Sequence, residues 1–204
     1  GTAVREFPFP AWPLIPDVCI QSASNVLKTG KVNYWTGSIG KEFEQAFAKY
    51  CDCKYGIALA NGTLALELAL KSLGISAGDD VIVTPRSFIA SASCVVTIGA
   101  NPIFADVDKE TQALSVKTIK AVLTKNTKAI ILVHLGGRPA EIEEICEFAK
   151  QHSIYVIEDC SQAHGAIYKN KKVGSFGDIA TFSFCQDKII TTGGEGGLIT
   201  TNNQ

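Results

Sequence analysis

The chain has 204 residues, of which 46% are hydrophobic and 19% are charged, and its formal net charge is −1. This composition is typical of a globular chain with a sizeable core, and the near-zero charge gives no electrostatic case for binding nucleic acid or a membrane surface. No apolar run approaches the roughly 18 residues of a transmembrane helix, and no signal peptide is visible.

The seven cysteines are odd in number and scattered along the chain. Several lie in apolar runs, where a thiol behaves as a small hydrophobe, so the pattern favours a reducing, cytoplasmic location over a disulfide framework. Cys51 and Cys53 have the wrong spacing for a zinc knuckle and no second pair follows. We therefore expect no metal site.

The predicted elements alternate between strand and helix after a proline-rich start. Residues 1–30 are predicted to form an irregular N-terminal arm and residues 31–204 a single large domain. Apolar periodicity then predicts helices at 41–49, 63–73, 90–98, 116–123 and 140–152. It predicts strands at 55–60, 80–84, 102–105, 128–133, 154–157, 179–184 and 197–201.

Strands that are apolar on both faces and alternate with helices predict an α/β fold, with a parallel sheet covered on both sides. Ligands of such sheets bind at the carboxyl ends of the strands. The residues that follow the predicted strands are therefore candidates for a site: Asn61, Gly62, Thr63, Ser87, Phe88, His134, Glu158 and Asp159.

An acid and a lysine indicate one cofactor. Asp159 closes an apolar strand, and Lys188 follows 29 residues later, just before a glycine-rich run. Pyridoxal phosphate (PLP) needs a carboxylate on its pyridine nitrogen and a lysine amine that forms a Schiff base. The plainer interpretations are a helix-capping aspartate and a solvated loop lysine.

Five further residues could complete such a site. Gly62 and Thr63 join a strand to a helix, where free N–H groups hold phosphate, although a turn with an N-cap threonine is the plainer interpretation. Ser183 stands among phenylalanines, and a phosphate oxygen would satisfy its hydroxyl. Phe88 could stack on a flat ring and Gln162 could bond to a ring oxygen, or they could be a core aromatic and a surface amide.

Two histidines, His134 and His164, lie near strand ends without a nucleophile motif beside them. We interpret both as structural or supporting groups rather than as catalytic residues.

The order and spacing of several segments resemble the DegT/DnrJ/EryC1/StrS family of PLP-dependent sugar aminotransferases, which have fold type I. The similarity extends over about residues 28–201. It rests on residues 37–44, 61–66, 78–83, 99–106, 158–166, 182–184 with Lys188, and 194–197.

The resemblance implies a three-layer α/β/α large domain with a mixed, mostly parallel sheet, and a role for each candidate residue. Lys188 would form the internal aldimine and move the proton between substrate and cofactor. Asp159 would pair with the pyridine nitrogen, and Gln162 would contact the ring oxygen. The remaining residues would hold the phosphate (Gly62, Thr63 and Ser183) or stack on the ring (Phe88).

The resemblance also implies a reaction, a ping-pong transamination. An amino-acid donor, expected to be glutamate, would load the cofactor, and the amine would pass to a keto group on a nucleotide-linked deoxysugar. Relatives with histidine at the lysine position are dehydratases, so Lys188 favours a transaminase. Cys160 and Ser161 stand where many relatives carry alanine. The sequence does not fix the sugar, the nucleotide or the carbon that is aminated.

Other functions remain open from the sequence. A PLP-dependent sugar dehydratase or a non-sugar aminotransferase would keep the cofactor, and a non-catalytic PLP-binding domain would bind it without amine transfer. Family members are homodimers with active sites at the subunit interface and a small C-terminal domain. We therefore expect a homodimer, and a chain that is a fragment without that C-terminal domain.

Overall fold

A computed structural model describes residue 1 and residues 4–204. Its contacts divide the chain into two units, Gly1–Lys41 and Glu42–Gln204. Helix α1 (Asp17–Lys28) lies in the first unit, and α2 (Ile39–Tyr50) begins at the end of that unit. The prediction that residues 1–30 are irregular is thus wrong for α1. The helix starts directly after Pro16, since proline fits a helix start, where its missing N–H would have no intrahelical partner.

The second unit contains every strand and helix that the periodicity predicted for it, with ends shifted by a few residues. Its helices are α3 (Gly62–Ser72), α4 (Ala90–Thr97), α5 (Val116–Lys120) and α6 (Ile142–Gln151). Its strands are β1 (Tyr55–Leu59), β2 (Asp80–Val83), β3 (Asn101–Phe104), β4 (Thr127–Val133), β5 (Tyr155–Asp159), β6 (Ile167–Tyr168), β7 (Lys171–Lys172), β8 (Ile179–Ser183) and β9 (Gly197–Thr201).

Seven strands form one sheet in the order β1-β9-β8-β5-β4-β2-β3. The pairs β2–β3, β2–β4, β4–β5 and β5–β8 are parallel, and β9 runs antiparallel to both of its neighbours, β1 and β8. The other six strands therefore end at one edge, and β9 begins there. The mixed, mostly parallel sheet is confirmed.

Two apolar layers cover the two faces of this sheet. Along β4, Ile130 and Leu132 enter one core cluster, whereas Ala129, Ile131 and Val133 enter the other. This alternation follows from the period of two in a strand. Helices α5 and α6 contribute to the first cluster, and α3 and α4 to the second, which confirms the three-layer α/β/α architecture.

Two short features escaped the sequence prediction. Strands β6 and β7 pair as a hairpin of two residues each, and a single 3-10 turn spans Leu135–Gly137. Both are too short to show a period. Within the described part of the chain, no helix is long and apolar enough to cross a membrane.

Candidate active site

A cavity of about 340 Å³ opens at the edge where the six strands end. All of the residues singled out for the cofactor line it: Gly62, Thr63, Phe88, Asp159, Gln162, Ser183 and Lys188. They lie up to 126 positions apart along the chain, and the parallel strand ends bring them together.

Asp159 ends β5 with its side chain buried. Its Oδ1 accepts the N–H of Ser161 at 3.1 Å, and its Oδ2 accepts the Ser91 hydroxyl at 2.9 Å. Because the single hydroxyl proton of Ser91 goes to the carboxylate, the Ser87 hydroxyl, 2.7 Å from Ser91 Oγ, must donate to Ser91. The hydroxyls of Ser87 and Ser91 thus form a hydrogen-bond chain in which each donates toward the Asp159 carboxylate.

Ser91 is a residue that the sequence reasoning missed. It lies in the first turn of α4, inside a run that the pattern marks only as a buried helix. The signal that could have found Ser91 is a polar side chain in a buried helix, since such a side chain needs a hydrogen-bond partner. Its partner is the Asp159 carboxylate, which lies on the same face of the sheet as α4.

The start of α3 forms another wall of the cavity. The N-cap is Asn61, whose Oδ1 accepts the N–H of Leu64 at 2.9 Å, so the interpretation of Thr63 as a capping residue is wrong. A Cβ on Gly62 would lie 2.8 Å from the Ser183 Cβ, closer than real side chains approach. Glycine there lets the main chain of α3 come against β8, and the first N–H groups of the helix have no intrahelical partner.

Gln162 and Phe88 present different surfaces to the cavity. The Gln162 Oε1 accepts the N–H of Gly136 at 2.8 Å, which leaves its NH₂ group as the free end. Phe88 is 64% exposed, so its ring face is open to a flat ligand. Lys188 is half-buried, and its amine forms no ion pair with any described residue, although Asp187 and Glu195 line the same cavity.

Glu158, one residue before Asp159, belongs to the core rather than to the cavity. Its carboxylate accepts the N–H groups of Gly174, Phe176 and Gly177, at 2.8 to 2.9 Å, and faces His134 Nε2 at 3.2 Å. Burial alone would raise the pKa of Glu158, but these hydrogen bonds hold it below its ordinary value. Glu158 therefore anchors the loop that leads into β8.

His134 supports the same network. Its Nδ1 accepts the N–H of Ala140 at 3.3 Å, which places the ring proton on Nε2, toward Glu158. The side chains of His134, Glu158 and Cys160 offer metal-ligand atoms within 4.8 Å of one another. Since both His134 nitrogens and both Glu158 oxygens already take part in hydrogen bonds, a metal ion would have to displace them.

His164 is buried without such partners. Its ring packs against Phe182 and Phe184 at centroid distances of 5.6 and 5.2 Å. Neither ring nitrogen has a hydrogen-bond partner among the residues that the structure describes. Burial lowers the pKa of His164 to about 4; the main chain of Ser183 opposes this shift, and the positive charge of Lys188 adds to it. His164 is therefore neutral at pH 7.

This environment predicts an acid-dependent loss of stability that His164→Phe reduces. The pKa of His164 lies near 4 in the folded chain, against 6.5 for an unperturbed histidine, so the unfolded chain binds the proton first. The contribution is fully present above pH 6.5 and is lost as the pH falls to 4. It amounts to about 3 kcal/mol of unfolding free energy.

Urea unfolding at several pH values between 4 and 7 measures this contribution. His164→Phe should flatten the pH dependence and raise stability at pH 7 by about 1–3 kcal/mol, because it removes two unsatisfied nitrogens. His152→Gln, which replaces an exposed histidine, is the control for loss of an imidazole. An equal pH slope in the parent and His164→Phe would contradict the assignment.

Comparison with known proteins places this arrangement in a family. The DegT/DnrJ/EryC1/StrS aminotransferase family model matches residues 15–204. GDP-perosamine synthase of Escherichia coli O157:H7 is 49% identical over 83% of this chain and 47% of its own length. L-glutamine:2-deoxy-scyllo-inosose aminotransferase of Streptomyces kanamyceticus is 40% identical over 98% of this chain and 48% of its own.

Solved structures agree with the sequence match. The crystal structure of an aminotransferase from Psychrobacter cryohalolentis is 55% identical, with a TM-score of 0.94 over 96% of this chain and 50% of that one. The chain thus spans about half the length of the relatives that it matches. The expected family and fold type I architecture are confirmed. The chain belongs to the DegT/DnrJ/EryC1/StrS aminotransferase family.

Proposed function

We propose that the protein containing this chain is a PLP-dependent sugar aminotransferase. The observation that carries the proposal is one cavity that joins the amine of Lys188, the buried carboxylate of Asp159 and the start of α3. Solved aminotransferases with this fold include forms with PLP and with its aminated product, pyridoxamine phosphate (PMP), which supports PLP as the cofactor.

The groups that line the cavity fit PLP in chemical type. Asp159 is a buried carboxylate with bonds from only Ser91 and Ser161 among the described residues, so it retains acceptor capacity for a protonated ring nitrogen. The free N–H groups at the start of α3, where Gly62 allows close approach, suit a phosphate together with the hydroxyls of Thr63 and Ser183. We assign the ring face to Phe88 and the ring oxygen to the Gln162 NH₂ group.

When bound, PLP supplies a carbonyl that condenses with amines and a ring that withdraws electrons. With PLP bound, the Lys188 amine would be the nucleophile for that carbonyl, and its Nζ would take and return the substrate proton as the general base. Asp159 would keep the ring nitrogen protonated, because an opposite charge close by stabilises the cation. The buried position of Asp159 would exclude water from this pair and strengthen it.

For the substrates we propose a nucleotide-linked keto-deoxysugar as acceptor and glutamate as donor. One relative is a GDP-perosamine synthase, and its name combines a nucleotide with an amino sugar, which supports a nucleotide-sugar acceptor. Another relative is an L-glutamine:2-deoxy-scyllo-inosose aminotransferase, whose name gives glutamine as the amino donor. Glutamine is therefore the donor to compare with glutamate. For the whole protein we propose a cytoplasmic homodimer, and the free thiol form of all seven cysteines supports a reducing compartment.

Replacement of Lys188 tests the function directly. Full-length protein with PLP should show the visible absorption band of the lysine-bound cofactor, and an amino donor should convert it to the PMP form. Lys188→Ala should lose the band and amine transfer, with rates falling by at least about 10³-fold, because nucleophile and base are both removed. Lys49→Ala, an exposed lysine on α2, is the control.

A folded full-length protein without the band would contradict the cofactor assignment. The band without transfer to any keto sugar would instead support a non-catalytic PLP-binding domain.

Ser91→Ala tests the two-hydroxyl chain that holds Asp159. Removing a hydrogen bond to a buried carboxylate costs about 1.5–3 kcal/mol, so we expect PLP affinity to fall about tenfold or more. Ser91→Thr keeps the hydroxyl and should stay near the parent. Titration of the apo-protein with PLP measures the dissociation constant independently of turnover. Equal affinity in Ser91→Ala and the parent would show that Ser91 does not position Asp159.

A further inference from the structure

A second cavity, of about 280 Å³, lies at the same sheet edge as the first. Its walls come from the segments that follow β2 and β4 and from residues 111–113. Two arginines, Arg86 and Arg138, line it, and we call it the arginine cavity. It shares no lining residue with the cavity that contains Lys188.

Both guanidinium groups keep most of their donors free. Arg138 donates one long bond of 3.4 Å, from Nη1 to the Glu110 carbonyl. Neither arginine takes part in the ion pairs found among the described residues, which join Lys71 to Glu67, His134 to Glu158 and Lys169 to Glu143. Guanidinium groups bind phosphate oxygens through two parallel bonds, so two unpaired arginines in one concavity suit a doubly charged oxyanion.

The arginine cavity adjoins the candidate active site at two places. Arg86 is followed directly by Ser87 and Phe88, which line the first cavity. On the other side, Gly136 lines the arginine cavity and donates its N–H to Gln162, which lines the first. Consecutive residues on one side and a hydrogen bond on the other therefore connect the linings of the two cavities.

We propose that the arginine cavity binds the diphosphate of the nucleotide-linked sugar, an inference that rests on the proposed function. A sugar nucleotide carries its anionic charge at one end and its keto group at the other. The two cavities offer groups that suit the two ends, because one contains the Lys188 amine and the other contains the two cations Arg86 and Arg138. The carboxylate of the amino donor is the second possible oxyanion, but it is singly charged and sits close to the reacting amine.

The acids beside the cavity are already engaged or lie outside it. Asp108 accepts the N–H groups of Glu110 and Thr111, and these bonds lower its pKa. Neither Asp108 nor Glu110 lines the cavity. The local charge inside it is therefore that of the two arginines, and diphosphate binding should weaken as salt is added.

Calorimetry on the full-length protein tests the site without turnover. The probes are inorganic pyrophosphate, GDP, UDP and dTDP, and the variants are Arg86→Gln, Arg138→Gln and the pair together. We expect the double variant to weaken binding of the best probe at least about tenfold, since charged hydrogen bonds are lost. Lys125→Gln, in an exposed turn outside both cavities, should stay within about twofold by the same reasoning.

Separate half-reactions identify which oxyanion binds. Conversion of the PLP form by glutamate or glutamine should be unchanged in the double variant, whereas the KM for the keto-sugar nucleotide should rise about tenfold. Retention of the bound-PLP band by the variants shows that they fold.

Three results would overturn the proposal: no probe binds the parent, the double variant binds like the parent, or only the amino-acid half-reaction slows. The last result would assign the cavity to the donor carboxylate. If no donor loads an amine onto the parent, the proposed function fails, while calorimetry still decides whether the cavity binds diphosphate.

Discussion

Two neighbouring carboxylates at the end of β5 face opposite sides of the sheet, and the structure around the site depends on both. Successive side chains of a strand alternate between faces, so Glu158 and Asp159 enter different layers. Glu158 is stabilised by hydrogen bonds from three main-chain N–H groups and His134, and it fixes the loop between β7 and β8. Asp159 is fixed by Ser91 and the N–H of Ser161 and faces the cavity. A buried charge would be costly without these partners.

Close approach of main chain is the second constraint on the site. Gly62 at the start of α3 lies against Ser183 at the end of β8, and any larger residue would force the two apart. Gly197 begins β9 and pairs with both Leu59 and Ser183. A Cβ on Gly197 would collide with the main chain of Asn61. Gly62 and Gly197 therefore allow a helix start, a strand end and a strand start to meet at one edge of the sheet.

Much of this arrangement is readable from the sequence because the rules that produce it are local. Apolar runs of four to six residues predict the strands, and parallel connections then bring their carboxyl ends together, which is why residues as distant as Gly62 and Lys188 could be grouped. Helix α1 was hidden because prolines dominate the preceding residues, although Pro16 itself marks its start. Ser91 could not be assigned, since its partner lies 68 positions away. His164 was interpreted as a structural or supporting group, but its burial without a hydrogen-bond partner among the described residues could not be predicted. Their roles depend on packing between layers, which periodicity does not encode.

The most direct test is to find which lysine carries the cofactor. Full-length protein would be incubated with PLP, reduced with borohydride, digested and analysed by mass spectrometry. The account predicts one pyridoxyl adduct, on the peptide that contains Lys188, and its loss in Lys188→Ala. An adduct on a different lysine, or no adduct in a folded protein saturated with PLP, would contradict the assignment of Lys188 and with it the proposed chemistry of the cavity.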